Sequence, residues 1–381
     1  MSDWTLRLHQ FVPRAIGPIA SALLVAAVPS CTQRNPAFQV TVVHDAEVPP
    51  MPGAGGDSGK HEDPPLSTDP RIADPGPSDA AVVDLGAKGE TTAPAAPDTE
   101  PPAPDAGGSD TACGAPSPAG WSCIPAGNFT MGSPSDEKER ESQEVLHQVT
   151  VTRPFWMGAT EVTRREWRAL MPKDPSNHTA CGLDCPVEMM TWYDSVAYAN
   201  AASLRDGLPT CYFTDSGAAY DAAAATGKKI VRWPRGLACN GYRLPTESEW
   251  EYAARAGATT AFPGGTLVGK ECTPVLAVLD VVGWYCGNAD STTHPVGVRA
   301  ANAWGLFDMH GNVWEWVWDT GASYPSGAVT DPIGPDTGDE RISRGGSYHN
   351  PPNNCRAAVR SFDGPAEVFK DTGLRLVRTA F

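Results

Sequence analysis

The sequence changes character abruptly at Cys113, and this change confines a stable fold to the C-terminal two thirds of the chain. Residues 32–112 contain 14 prolines, 14 acidic and 4 basic residues, and Phe38 is their only aromatic side chain. Such a segment has too little apolar surface to offset the conformational entropy lost on folding. Eleven of the twelve tryptophans follow Cys113. We therefore expect a disordered linker over 32–112 and one domain over 113–381.

The charge of the chain is concentrated in this linker. The formal net charge is −16, and an excess of 14 acidic over 4 basic residues places −10 of it between residues 32 and 112. No basic patch or nucleic-acid motif is present, and an acidic chain repels polyanions. We expect no nucleic-acid partner.

The N-terminus has the pattern of an export signal. Arg7 and Arg14 precede an apolar run over 15–29 that is too short and too interrupted by Pro and Gly for a comfortable membrane span. The run ends in the sequence VPSC at residues 28–31, which resembles a bacterial lipobox. We predict a signal peptide over 1–31 with lipidation of Cys31, which would anchor the protein at the cell envelope. The alternatives are an uncleaved anchor, or a plain signal peptide that gives a periplasmic or secreted protein.

The cysteines indicate disulfides, because ten cysteines in an exported chain are typical of an oxidising compartment. Nine remain when Cys31 is set aside, so at least one thiol should be free. Pairing by sequence proximity leaves Cys355 alone, although other connectivities remain open. The pairs predicted in this way are Cys113–Cys123, Cys181–Cys185, Cys211–Cys239 and Cys272–Cys286.

Local patterns predict a mixture of short strands and a few capped helices. Two capping boxes begin at Thr163 and Thr246, each with a glutamate three residues later. A longer helix should begin at Thr191 or Trp192 and run to about Leu204. Strands are expected over 127–133 and 144–152, and the region from 257 to 304 should be rich in loops. This distribution favours the α+β class.

The sequence contains three further motifs, RLPTE at 243–247, GNVWEW at 311–316 and RGGSY at 344–348. Together they resemble the formylglycine-generating enzyme (sulfatase-modifying factor) family. The resemblance implies a C-type-lectin-like core elaborated by long loops. The first motif opens a helix in which Trp250, Ala253 and Ala254 share one face, so we interpret it as a core element without chemistry.

The segment over 302–316 carries a candidate calcium site. The resemblance implies calcium ligation by the side chains of Asp308 and Glu315 and by the backbone carbonyls of Gly311 and Val313. Carboxylates and carbonyls gathered in a loop suit the six to eight oxygen ligands that calcium takes. Such an ion would be structural. The alternative is that Asp308 caps a turn while Glu315 pairs with a buried arginine.

The loop after Tyr348 decides the question of catalysis. The family's enzymes carry two cysteines, two and seven residues after the aromatic residue, which bind copper(I) as thiolates. Here the first position is Asn350 and the second is Cys355. Counted back from Arg360, however, Cys355 matches a later, non-catalytic position. Asparagine is no substitute ligand for copper(I), so the oxidase reaction should be lost.

Three functions follow from these observations. The first is an exported, lipid-anchored, calcium-stabilised binding or accessory module whose partner is a peptide, a protein or a small molecule. The second is a metal-dependent oxidase that acts on a protein cysteine or another side chain through Cys355, with copper as its possible cofactor. The third is a lectin-like adhesion or recognition protein. We expect a monomer in each case.

Overall fold

The described part of the chain contains short strands and helices joined by long loops. The computed structural model describes residues 112–114, 118–335 and 337–380, so the predicted signal peptide, the lipidation site at Cys31 and nearly all of the linker lie outside it. The strands are β1 (Trp121–Ile124), β2 (Gly127–Met131), β3 (His147–Val151), β4 (Phe155–Gly158), β5 (Phe213–Thr214), β6 (Val231–Arg232), β7 (Trp314–Thr320), β8 (Val329–Thr330), β9 (Arg341–Arg344), β10 (Ser361–Asp363), β11 (Thr372–Leu374) and β12 (Val377–Thr379). The helices are α1 (Arg164–Leu170), α2 (Trp192–Arg205), α3 (Ala222–Thr226), α4 (Glu247–Arg255) and α5 (Ala277–Val282).

The strands form small sheets that join distant parts of the sequence. One sheet has the order β1-β4-β12, and its pairs are antiparallel. A second has the order β10-β9-β7-β11, in which only β7 and β11 run parallel. A third has the order β2-β3-β8, and β5 pairs with β6. The α+β class predicted from the sequence is confirmed.

Strand β7 is covered on both faces, which explains the dense apolar sequence around it. Trp316 packs into a core cluster with α1 and α2, whereas the next residue, Val317, packs into a second cluster with α4, β2 and β3. Successive side chains of a strand point to opposite faces, so both faces of β7 are buried. The candidate calcium loop therefore leads directly into the core of the domain.

The capped helices begin where the sequence predicts. Thr163 with Glu166 and Thr246 with Glu249 both form reciprocal capping boxes. Thr191 forms a third with Asp194 at the start of α2, which ends at Arg205. The side chains of Trp250, Ala253 and Ala254 are buried, as expected for a core helix.

Several local expectations were wrong in detail. A strand, β1, precedes the segment expected to be the first, and β3 is shorter than the predicted 144–152 because Glu144 pairs with Arg356 and accepts from Ser133. Helices α3 and α5 were not expected. The four disulfides predicted by proximity are all present, and Cys355 is free and buried. No helix among the described residues is both long and apolar enough to span a bilayer.

Candidate functional site

The loop over 308–313 forms hydrogen bonds with three separate segments of the chain. Gly311 has a φ of +133°, and a Cβ atom built there would lie 2.0 Å from the Trp284 carbonyl oxygen, so only glycine fits. The backbone N–H of Asn312 donates to that same carbonyl at 2.8 Å. The carbonyl of Asn312 accepts from the Tyr348 N–H at 2.9 Å. The backbone of this loop therefore positions both Trp284 and Tyr348.

The side chain of Asn312 makes the third connection. Its Oδ1 accepts from the backbone N–H of His294 at 3.0 Å, and its Nδ2 donates to the His294 carbonyl at 3.2 Å. Asn312 also has a positive φ of 61°. Asparagine tolerates this left-handed conformation better than most residues. Both features explain why an asparagine stands at this position of the loop.

Two tryptophans at the 311–316 motif, Trp316 within it and Trp250 beside its Glu315, belong to the core. Trp316 is fully buried, and its Nε1 donates to the Met190 carbonyl at 3.4 Å. Trp250 of α4 donates through Nε1 to Glu315 Oε2 at 2.7 Å. Buried indole groups with satisfied N–H donors are structural, and they supply no exposed binding surface.

Glu315 is held by a buried arginine. Arg375 donates through a terminal nitrogen to Glu315 Oε1 at 2.6 Å and through Nε to both carboxylate oxygens at 3.0 Å. Neither side chain is exposed. The remaining donors of Arg375 reach the carbonyls of Gly158 and Phe307, each at 2.9 Å. This arrangement is the alternative to calcium ligation that the sequence left open for Glu315.

Asp308 and Glu161 carry carboxylate oxygens without partners. Asp308 Oδ2 accepts from the Gly297 N–H at 2.7 Å, but its Oδ1 is buried and has no hydrogen-bond partner. Both oxygens of Glu161 are likewise buried without a partner. Burial raises the pKa of Asp308 to about 6. Burial, together with the charge of Asp308, raises the pKa of Glu161 well above its usual range.

The predicted calcium ligands fit an ion in part. The free Oδ1 of Asp308 suits a cation, but the oxygens of Glu315 already accept from Arg375 and Trp250. Among the described residues, no three His, Cys, Asp or Glu side chains converge as a metal cluster. The carbonyls of Gly311 and Val313 remain predicted ligands. Glu161 is the residue that reasoning from the sequence missed.

Cys355 lies in an environment that disfavours a thiolate. It is fully buried in a cluster with Phe262, Leu267 and Tyr285, and burial raises the pKa of its thiol to about 12. A Cβ atom added at Gly346 would lie 2.6 Å from its sulfur, so this glycine of the 344–348 motif makes room for the thiol. The thiol is protonated at neutral pH and packs as a small apolar group.

The first cysteine position of the family's enzymes is filled by a hydrogen-bonded asparagine. Asn350 Oδ1 accepts from the Ser347 hydroxyl at 2.6 Å, and its carbonyl accepts from the Cys286 N–H at 3.1 Å. His349, beside it, is 41% exposed, whereas Cys355 has no exposed surface. The imidazole of His349 therefore lies at the protein surface, whereas the thiol of Cys355 is enclosed in the core.

A polar group of side chains surrounds Tyr348, and we call it the Tyr348 surface. It consists of His178, Thr292, Tyr348, His349 and Asp371. The Tyr348 hydroxyl is hydrogen-bonded to His178 Nε2 at 2.7 Å, and His178 Nδ1 is hydrogen-bonded to the Thr292 hydroxyl at 3.1 Å. Asp371 Oδ2 lies 3.5 Å from His349 Nδ1.

The Tyr348 surface is flanked by further aromatic and sulfur groups. Trp284 and His294 stack with their ring centroids 3.8 Å apart, and both are half-buried. The Cys181–Cys185 disulfide begins three residues after His178. Burial and the charge of Lys370 lower the pKa of His178, so its ring is neutral at pH 7. Tyr348 itself is buried, so a peptide or another polar ligand would contact the exposed imidazole of His349 and the half-buried groups beside it.

Comparison with known proteins agrees with this architecture. Residues 110–380 match the family model described as a sulfatase-modifying factor enzyme 1-like domain. The chaperone protein LppX of Paenibacillus barcinonensis is 32% identical over 246 residues, which are 59% of this chain and 80% of that protein. The formylglycine-generating enzyme of Mycobacterium tuberculosis is 32% identical over 304 residues, covering 67% of this chain and 96% of the enzyme.

A solved structure shares the fold. Treponema denticola variable protein 1 superposes with a TM-score of 0.59 at 30% identity, covering 68% of this chain and 94% of that one. The C-type-lectin-like fold expected from the sequence motifs is confirmed.

Proposed function

Because this chain belongs to the family of sulfatase-modifying factor enzyme 1-like domains, we propose that it is an exported accessory or binding module without formylglycine-generating activity. The observation that carries the proposal is the burial of Cys355, whose thiol is protonated at neutral pH. Copper(I) needs accessible thiolates. Asn350 stands at the first cysteine position and supplies none.

The similarity to a protein named as a chaperone supports an accessory role. In this proposal Cys31 is lipidated and residues 32–112 form a spacer between the membrane and the domain. The four disulfides agree with export, because such bonds are typical of oxidising compartments. The Tyr348 surface is then the place where a peptide or protein partner is bound.

We also propose a structural calcium ion at the 308–313 loop, as the family resemblance implies. Its support is the unpartnered Oδ1 of Asp308. Bound there, calcium would supply positive charge that stabilises a loop joining Trp284, His294 and Tyr348. It would take no part in chemistry.

Copper(I) titration tests the loss of oxidase activity. The full-length protein with its four disulfides intact should bind no copper(I) tightly, and it should consume no oxygen with a Cys-x-Pro-x-Arg peptide. Cys355→Ser is the matched control and should behave in the same way. Stoichiometric copper binding that this substitution abolishes, together with oxygen consumption, would establish the oxidase alternative through Cys355.

Two further measurements test the lipid anchor and the chemical class of the ligand. Metabolic labelling with a fatty acid should mark the wild-type protein and leave Cys31→Ser unlabelled; an unlabelled wild type refutes the lipid anchor. Binding of peptide and glycan arrays distinguishes an accessory module from a lectin-like protein. Peptide binding that weakens in His349→Ala and His178→Ala supports the proposal, whereas binding confined to glycans supports the lectin-like alternative.

A further inference from the structure

The charges of three buried carboxylates act on one buried guanidinium beside β7. Glu161, Asp308 and Glu315 are each 1% exposed or less, and Arg375 has no exposed surface. Arg375 is the partner of Glu315 alone, because its other donors reach backbone carbonyls. If all three carboxylates are ionised, the group carries two negative charges in excess. Isolated buried charge of this kind is strongly unfavourable.

No other nearby cation neutralises this excess among the described residues. Arg299 influences Asp308 electrostatically, but its guanidinium donates to the Asp280 carbonyl at 2.8 Å and lies 3.3 Å from the Asp280 carboxylate. It also stacks on Trp284, with its central carbon 3.7 Å from the ring centroid. The guanidinium of Arg299 therefore forms a partly exposed ion pair with Asp280 and is not the counter-ion of Asp308.

Backbone contacts bring the two unpartnered carboxylates into one neighbourhood. The Phe307 N–H donates to the Ala159 carbonyl at 2.8 Å, so the residue before Asp308 lies beside the segment that leads to Glu161. Arg375 contacts Gly158 and Phe307 from the same side chain. Three carboxylate oxygens without hydrogen-bond partners, two on Glu161 and one on Asp308, belong to this neighbourhood.

We propose that Glu161 and Asp308 together hold one calcium ion, with Glu161 in the role that the sequence motif gives to Glu315. This inference rests on the calcium site proposed above but changes its ligands. A dication neutralises the two excess charges and supplies a partner to all three free oxygens. Calcium takes carboxylate, carbonyl and water oxygens in flexible geometry, so two side chains with nearby carbonyls are enough. The ion would tie the connection between β4 and α1 to the 308–313 loop.

Protons are the competing occupant. A carboxyl group buried without a partner takes up a proton when nothing else neutralises it. In that case the carboxyl groups of Glu161 and Asp308 would be protonated and would not bind a metal ion. The experiment must therefore measure calcium binding itself, and it must compare Glu161 with another buried glutamate.

Glu188 provides the matched control. Like Glu161 it is a fully buried glutamate with a carboxylate oxygen, Oε2, that has no partner. Its other oxygen accepts from the His178 N–H at 2.7 Å, and among the described residues no hydrogen bond joins it to Asp308. Glu188→Gln therefore removes a buried carboxylate without touching the proposed ion.

The experiment is calorimetric titration of chelator-treated full-length protein with calcium chloride, with melting temperatures measured in calcium and in EDTA. We expect one calcium per chain and a higher melting temperature in calcium for the wild type and for Glu188→Gln. Glu161→Gln and Asp308→Asn should weaken binding by at least about tenfold and remove the thermal shift. In EDTA, Glu161→Gln should melt no lower than the wild type, because glutamine is nearly isosteric with the protonated carboxyl group that the calcium-free protein carries. A folded Glu161→Gln in EDTA excludes misfolding as the cause of lost binding.

Each other outcome overturns part of the argument. Wild-type binding that Glu161→Gln leaves intact refutes the role of Glu161 while the calcium site survives. Loss of binding in Glu188→Gln as well shows that the effect is not local. If the wild type binds no calcium, both the ion and its proposed ligands are refuted. The carboxylates of Glu161 and Asp308 are then neutralised by protons.

Discussion

Replacement of Asn312 by alanine should destabilise the domain by about 3–4 kcal/mol. The side chain makes two hydrogen bonds, to the backbone N–H and carbonyl of His294 at 3.0 and 3.2 Å. Each freed group costs about 1–3 kcal/mol, and His294 is half-buried, so we take about 2–3 kcal/mol for the pair. The φ of +61° at this position adds about 1 kcal/mol for alanine, because the left-handed conformation is strained for a Cβ-bearing residue.

The assay is urea unfolding of the oxidised full-length protein, followed by tryptophan fluorescence. With an m-value of about 3 kcal/mol/M, the midpoint should fall by about 1 M for Asn312→Ala. Asn312→Gly loses the same hydrogen bonds but relaxes the backbone, so it should be about 1 kcal/mol more stable than the alanine variant. A shift below about 0.3 M for alanine, or a glycine variant no better than alanine, would refute the reasoning.

Other expected outcomes concern the thiol, the pH dependence and the disulfides. In a Cys31→Ser protein, a thiol reagent should find no reactive group in the native state and one after unfolding; rapid native reaction would contradict the burial of Cys355. Burial and the charge of Glu247 raise the pKa of Asp319 to about 8, whereas the unfolded carboxyl ionises near its ordinary value of 3.8. The folded state therefore binds the extra proton between these values, and stability should fall as the pH rises from about 4 to 8. Asp319→Asn should flatten this slope in thermal melts, and an unchanged slope would count against the assignment. Loss of Cys211–Cys239, with a sequence separation of 28, should cost about 3–4 kcal/mol by chemical denaturation, against about 2 kcal/mol for Cys181–Cys185 with a separation of 4. Equal costs would show that loop closure does not govern these bonds.

Features that depend on short sequence separations were predictable. A capping box needs two residue types three positions apart, and both boxes predicted from the sequence form. The disulfides pair neighbouring cysteines because short loops lose little entropy on closure. Helix α3 also had a local signal, since Asp221 caps a run of alanines, but that signal was overlooked.

The partners of buried charges were not predictable. Glu315 and Arg375 are 60 residues apart, and the motif that contains Glu315 fits a calcium ligand as well as an ion pair. Glu161 lies just before a capping box, where a carboxylate has several ordinary uses. Only the fold reveals that its oxygens lack partners beside Asp308. Likewise, nothing local indicates that Cys355 is buried against Gly346 of the 344–348 motif.

The position of the last strands has a consequence for how the chain is made. Strand β12 pairs with β4 and β11 pairs with β7, and Arg375 between them neutralises Glu315. None of these contacts can form before residues 372–379 have been synthesised. Non-local pairing of this kind folds slowly. A nascent chain that lacks these residues therefore leaves β4 and β7 without one partner strand each, and leaves Glu315 without its buried cation.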